Sequence, residues 1–240
     1  MQQSGALAVD VGGAPPDAPA WELLNTDTHA GLRVRPATAA GRHFVQVVPD
    51  ECARMAARCP LLFTKHPETG QFYIGALFGF EPGENLLVDA DGRLDGYMPH
   101  DLERAGFFIA GDDIAIDRAH ARFATADGVT LFDGGSRLRQ VQHALAAINA
   151  GIEQTRSHVA HLLRQQLIEP IDLTLSFDDG RKITLDGLYT ISRDALAQLG
   201  AAEVATLHDN GALRLAYTMA NSLDQIALLA RRRNDRLADA

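Results

Sequence analysis

The most regular alternation of apolar and polar positions lies between Pro60 and Phe108. Leu61, Leu62, Phe63 and Thr64 form one apolar run, and His66-Pro67-Glu68-Thr69-Gly70 interrupts it. Phe72, Ile74, Ala76, Phe78 and Phe80 then alternate with Tyr73, Gly75, Leu77 and Gly79. A period of two on either side of a short Pro/Gly break predicts a β-hairpin. Gly75 and Gly79 leave one face of the second strand with a trough. Packed interiors leave few voids, so a helix of this chain fills the trough or it is the floor of a binding site.

The same reading places the other elements. His43 to Val48 is a strand, and Glu51 to Arg58 a short helix with Asp50 as its N-cap. Asn85 to Val88 is a short strand, followed by a turn at Asp89-Ala90-Asp91-Gly92. His100 to Arg104 is a helical turn, and Phe107 to Ile109, Asp112 to Asp117 and Val129 to Phe132 are strands. From Ser136, expected as an N-cap, the residues Leu138, Val141, Leu145, Ile148, Ile152, Thr155, Val159 and Leu162 recur by threes and fours. That stripe predicts a long helix packed along its length, with Gly151 allowing a kink or close crossing, and a stop at Glu169-Pro170. Ile171 to Phe177 and Lys182 to Ile191 form a second hairpin around Asp178-Asp179-Gly180-Arg181. Ser192 caps a helix to Leu199. Ala201 to His208 is another, ending at Asn210-Gly211 with His208 bonding its last carbonyls, and Ala212 to Arg236 is the last. The expected class is α+β, an antiparallel sheet built from hairpins and packed with a long central helix and a C-terminal helical segment. Residues 1–20, rich in Gly, Ala and Pro, are expected to be a disordered tail, and residues 21–240 a single domain.

Composition narrows the function classes. The 240-residue chain carries a formal net charge of -9. An acidic chain without a concentrated basic patch has no electrostatic affinity for nucleic acid or anionic lipid. Arg231, Arg232 and Arg233 form the densest basic group, expected to complement a helix C-terminus, with an anion or lipid patch as the alternative. Cys52 and Cys59, seven residues apart, are expected on one helix face about two turns apart, too distant for a disulfide, and so as small buried hydrophobes. The start of the chain has no basic segment leading into an apolar run, and no run approaches membrane-span length. The expectation is a soluble, cytoplasmic protein, with export by another signal left open.

No established catalytic constellation is present in the sequence: no G-x-S-x-G elbow, no phosphate-binding glycine loop, no His-Glu-x-x-His. The acidic turn at Asp89 and Asp91 resembles the start of a calcium loop, but its twelfth position is His100 rather than glutamate. His158 and His161, one helical turn apart, are either a polar flank or two ligands of a metal that needs a third. The expectation is no metal and no cofactor. Lys65, His66, Asn85, Asp89, Asp91, Tyr97 and His100 lie close in sequence and suit anion binding, amide recognition or proton transfer. Of these, Lys65, Asn85, Asp89, Tyr97 and His100 are the candidate binding residues.

Three segments resemble the SapC family, named for a protein associated with bacterial surface-layer systems. The first runs through Pro60-Leu61-Leu62-Phe63-Thr64-Lys65, Ala76-Leu77-Phe78-Gly79-Phe80 and Gly83-Glu84-Asn85-Leu86-Leu87-Val88-Asp89. The second is Gly92 through Pro99, with Gly96-Tyr97-Met98-Pro99 where the family tends to have Gly-x-Tyr-x-Pro. The third is Asp186-Gly187-Leu188-Tyr189, then Leu207-His208, Gly211-Ala212-Leu213, Tyr217 and Ser222-Leu223. Leu94 stands where the family usually has Trp, and Arg104-Ala105-Gly106-Phe107 where it has an Arg-Tyr-Pro-Phe-like tetrad. The resemblance implies a bacterial protein linked to surface-layer or outer-surface functions, and carries over no catalytic residue. Two readings follow. One is a non-enzymatic accessory protein that binds a protein or peptide partner during assembly, export or modification of a surface component, with homo-oligomerisation open. The other is an enzyme, or an enzyme's partner subunit, using a pocket near Lys65, Asn85, Tyr97 and His100.

Overall fold

The computed structural model describes residues 21–239 apart from 90, 91, 95, 124, 125 and 133. The expected tail at 1–20 and the turn residue Asp91 therefore lie outside the described residues. The chain forms β1 (Trp21–Leu23), β2 (Arg33–Val34), β3 (Phe44–Val47), α1 (Pro49–Ala56), β4 (Leu61–Lys65) and β5 (Phe72–Leu77). It continues with α2 (His100–Glu103), β6 (Phe107–Ala110), β7 (Asp113–Asp117), β8 (Val129–Thr130) and α3 (Ser136–Arg164). The C-terminal part is β9 (Ile168–Ser176), β10 (Lys182–Ile191), α4 (Arg193–Ala197), α5 (Ala201–Asp209), α6 (Ala212–Ser222) and α7 (Gln225–Ala238). This is the expected α+β arrangement.

The two predicted hairpins join in one five-stranded antiparallel sheet of order β3-β5-β4-β10-β9. In the first hairpin Phe63 faces Ile74 and Leu62 faces Gly75. The second hairpin couples to it where Tyr189 faces Phe63, and β10 carries a bulge between Leu185 and Leu188. A three-stranded sheet, β1-β7-β6, and a β2-β8 pair complete the strands. Two apolar clusters result. The larger lies on the five-stranded sheet under α1 and α6, and the smaller gathers Leu32, Val34, Phe107, Ile116, Phe123 and Leu131.

Helix α3 belongs to both clusters. Val141 and Leu145 enter the smaller one, and Val159 and Leu162 the larger. Between them, buried Gly151 lies against Val48, where an added Cβ would come within 2.4 Å of the Val48 Cβ. This close crossing shifts the buried stripe: Ile148 is 7 % exposed, while Ile152, expected to be buried, is 38 % exposed. A straight 3.6-residue helix drifts from a strict seven-residue repeat, and the glycine contact sets which side faces inward.

Gly75 and Gly79 are structural. The Phe44 ring, from the neighbouring strand rather than from a helix, fills the space above Gly75; an added Cβ would sit 1.9 Å from its Cε1. At Gly79 the same atom would sit 2.6 Å from the Glu84 carbonyl oxygen. The open-trough alternative is thereby removed.

Several local expectations are corrected. Helix α1 starts at Pro49, so Asp50 lies in its first turn, and the Glu51 side chain accepts the Val48 N–H at 3.1 Å in place of an Asp50 cap. Cys59 lies beyond the end of α1, yet both thiols are buried and donate to carbonyls, Cys52 to Val48 and Cys59 to Met55. Asn85 to Val88 forms no strand; only a single bridge joins Val88 to Leu94. Gly135, with φ of 63°, occupies the N-cap position of α3, and Ser136 is already helical. That helix ends at Arg164, ahead of Pro170, where the chain turns out through Gln166 at a φ of 52°; Pro170 sits instead in the outer strand β9 of the sheet, where a missing N–H is tolerated. The final helix is two helices broken at Leu223-Asp224. His208 is exposed, and among the described residues its side chain meets the adjacent Asp209, at 3.4 Å, rather than a terminal carbonyl. Ser192 does cap α4, accepting from the Ala195 N–H.

Two substitutions test this packing by denaturant unfolding. Ile148→Asp should cost roughly 3 kcal/mol or more, because it buries a carboxylate without a partner. Gly79→Ala should cost about 1–3 kcal/mol, since the obstacle is backbone that cannot rotate away; unchanged stability would show that the Glu84 turn yields freely.

Candidate functional site

Glu51 is the third residue of α1 and has no exposed surface. It lies on the buried side of the helix beside Cys52 and Met55, and so faces inward at the point where α2 begins. One carboxylate oxygen accepts the Val48 N–H, and the other accepts the His100 N–H at 2.8 Å. Glu51 thus ties the first turns of α1 and α2 together. Burial outweighs these bonds and, with a smaller contribution from the neighbouring Asp50 carboxylate, lifts its pKa to about 7.

Around this carboxylate the structure assembles two of the five sequence candidates. The Tyr97 hydroxyl lies 3.1 Å from His100 Nε2, and the two rings meet edge to face. His100 Nε2 is 3.8 Å from an Asp50 oxygen. The His143 ring, from the first half of α3, lies 5.2 Å from the His100 ring, and the Arg54 guanidinium lies over the Tyr97 ring at 4.9 Å. Burial pushes the Tyr97 hydroxyl pKa up and pulls the His100 pKa down, so both rings are neutral near pH 7. These groups line an open groove of about 560 Å³ between α1, α2 and the start of α3, which Glu103, Arg139 and Gln140 also line. The groove is polar and carries both signs of charge.

The other three candidates lie outside this groove. Lys65 is exposed on β4 and rests its ammonium 4.9 Å from the centroids of both the Phe72 and Tyr189 rings, a cation–π position on the sheet. Asn85 is buried: its amide donates to the Ala39 carbonyl at 2.8 Å and its side-chain oxygen accepts the Leu87 N–H at 2.8 Å. Asp89 is exposed and closes its turn by accepting the Arg93 N–H at 2.9 Å. The C-terminal arginines hold this same segment. Arg233 is buried, pairs with Glu81 and Glu84, and lies 4.6 Å from the Phe177 ring centroid. Arg236 donates to the carbonyls of Asn85 and Val88. The Arg233 guanidinium holds the Glu81 carboxyl below its usual range. Arg233, expected to serve a helix end or an anion patch, is thus a fastener between α7 and the loop before Asp89.

The two histidines of α3 do not converge. His158 is buried and its Nε2–H donates to the Asn210 carbonyl at 3.1 Å, joining α3 to the α5–α6 turn, so it is not a polar flank. His161 instead accepts from Arg164 at 2.6 Å. Among the described residues, the group with ligand atoms close enough to hold an ion is Asp50, Glu51 and His100, within 4.8 Å of one another. Both Glu51 oxygens and His100 Nε2 already have hydrogen-bond partners there. The sequence reading missed Glu51, Arg54 and His143. A glutamate two positions after Pro49 was legible as an N-terminal helix signal; the approach of His143, some forty residues beyond His100, was not.

The SapC family model matches residues 24–229, most of the chain, and the chain belongs to that family. No curated protein and no solved structure matches it significantly. Among the described residues no helix is long and apolar enough to cross a membrane.

The Glu51 pKa gives a signed expectation. A carboxyl whose folded pKa is raised to about 7 from its ordinary value of 4.5 binds its proton more tightly in the folded state. Its contribution is therefore fully present below the unfolded pKa and is lost as pH rises toward 7, by roughly 3 kcal/mol in all. Buried neutral histidines such as His100 act in the opposite sense, so the quantity to measure is a difference. The stability of Glu51→Gln relative to wild type should improve by about that amount between pH 4.5 and 7. A difference that stays flat over this range would show that Glu51 titrates as an exposed carboxyl.

Proposed function

We propose that this SapC family member is a non-enzymatic accessory protein that binds a segment of a protein or peptide partner in the groove at Tyr97 and His100. The partner belongs to a bacterial surface-layer or outer-surface component during its assembly or export. The observation that carries the binding reading is the groove itself. It is open, it combines ring faces with Asp50, Arg54, Glu103 and Arg139, and the carboxylate nearest its wall is buried and committed to backbone amides. Paired charges and aromatic faces suit an extended peptide, whose backbone amides and side chains need both donors and acceptors. The surface-layer link rests on the family resemblance.

A second reading has one observation in its favour. His100, Tyr97, Asp50 and His143 meet at one wall, which are the residue types of acid–base chemistry. On that reading the enzyme's pocket lacks Lys65 and Asn85.

A photo-crosslinking residue placed at Arg54 or His143, expressed in the native bacterium, should capture one defined partner, and one placed at exposed Glu68 should not. Equal capture from both positions would remove the groove as the binding site. His100→Asn separates the two readings. A binding protein keeps function in proportion to the partner it retains, whereas an enzyme loses function while capture persists.

A further inference from the structure

Away from the groove, a depression of about 290 Å³ is formed by the loop between β1 and β2, the start of β2 and the segment after β7. Thr28, Gly31, Arg33, Arg118 and Phe123 are among the residues that line it, and no described residue lining it is acidic. The pattern along β2 accounts for one of its charges. Leu32 and Val34 are buried in the smaller apolar cluster, so Arg33, between them, is turned outward and exposed.

Arg33 is the unusual member. The chain has 31 acidic residues against 22 basic ones, so carboxylates are plentiful. Yet among the described residues the Arg33 side chain has no carboxylate, carbonyl or ring partner. Arg118 is also reachable from solvent, with 42 % of its side chain exposed, and its Nε lies 4.0 Å from a Glu22 oxygen. That same oxygen is 3.0 Å from Nε2 of His29, which is 7 % exposed. Glu22 is thus bonded first to a buried histidine and approaches Arg118 loosely. Among the described residues it is the one carboxylate that pairs with either guanidinium. The remaining lining suits a ligand. An added Cβ at Gly31 would meet nothing within 4 Å, so the backbone there can be approached closely. The Thr28 hydroxyl offers a further polar group, and Leu32 and Phe123 contribute apolar surface.

We propose that this depression binds the phosphoryl group of a small soluble phosphate ester, with Arg33 and Arg118 meeting its oxygens and Leu32 and Phe123 receiving its organic part. Guanidinium forks match phosphate oxygens in both geometry and charge. A planar carboxylate is satisfied by one guanidinium in bidentate fashion, whereas a tetrahedral dianion has oxygens left for a second. Here the two come from separate anchors, one on β2 and one on the segment after β7. The volume is near the lower end of the range for small-molecule sites. A net charge of -9 opposes docking on an extended anionic surface, which leaves a single phosphoryl group at a local pair of cations. The site is separate from the groove at His100 and does not rest on the peptide-binding reading.

Phenyl phosphate is the probe, followed by calorimetry on the full chain at low salt. Inorganic phosphate carries the anion without the organic part, benzoate replaces the dianion by a carboxylate, and vesicles containing phosphatidic acid present the same group on a membrane. Phenyl phosphate should bind saturably, and inorganic phosphate should compete with it more weakly. Benzoate should bind about tenfold more weakly or worse, and the vesicles should not retain the protein. Arg33→Gln and Arg118→Gln should each weaken phenyl phosphate by about tenfold or more with the Tm unchanged, since both side chains are open to solvent. Arg156→Gln makes the same charge change at an exposed position on α3 and should leave binding as it is. The proposal is overturned if phenyl phosphate shows no saturable binding, if benzoate binds as tightly, if the vesicles retain the protein, if either Arg33→Gln or Arg118→Gln binds like wild type, or if Arg156→Gln weakens binding as much as they do.

Discussion

A carboxylate with no exposed surface holds two helix starts together, and the groove depends on it. Glu51 answers two of the unpaired amides that every helix N-terminus presents, one at α1 and one at α2. Because α2 is only four residues long, it has little stability of its own. Its position comes from this bond, from its packing on α3 and from the Asp101–Arg104 pair. His100, the first residue of α2, is therefore set by Glu51, and Tyr97 and His143 are arranged around His100. The burial that makes the tether rigid also raises the Glu51 pKa, so the same atom that organises the groove makes its stability depend on pH.

The long helix α3 plays a comparable part at larger scale. It is a common wall for the two apolar clusters, and its first half supplies His143, Arg139 and Gln140 to the groove. The contact of Gly151 with Val48 brings it close to the N-terminus of α1. That closeness places Asp50 and Arg54 across from His143. The groove is thus a by-product of how three helix segments approach one another, with α7 and its arginines fastening the loop at 81–88 on a different side.

The hydrophobic pattern alone determined the two hairpins, the α+β class, the long helix and the burial of both cysteines. Those features are local: period-two alternation, Gly/Pro breaks and a stripe at three-and-four spacing require only near neighbours in sequence. The family was legible for the same reason, since its motifs are short runs in order. Tertiary structure decided the rest. Nothing in the spacing says that Ile152 turns outward, because that follows from Gly151 meeting Val48 across the fold. Nothing says that Asn85 is a buried strut while Tyr97 lines a groove, because each depends on what arrives from afar: Ala39 and Arg236 at the one, Glu51 and His143 at the other. Polar side chains carry the same chemistry whether they serve a turn or a site. Their role is set by distances between residues far apart in sequence, and packing alone fixes those distances.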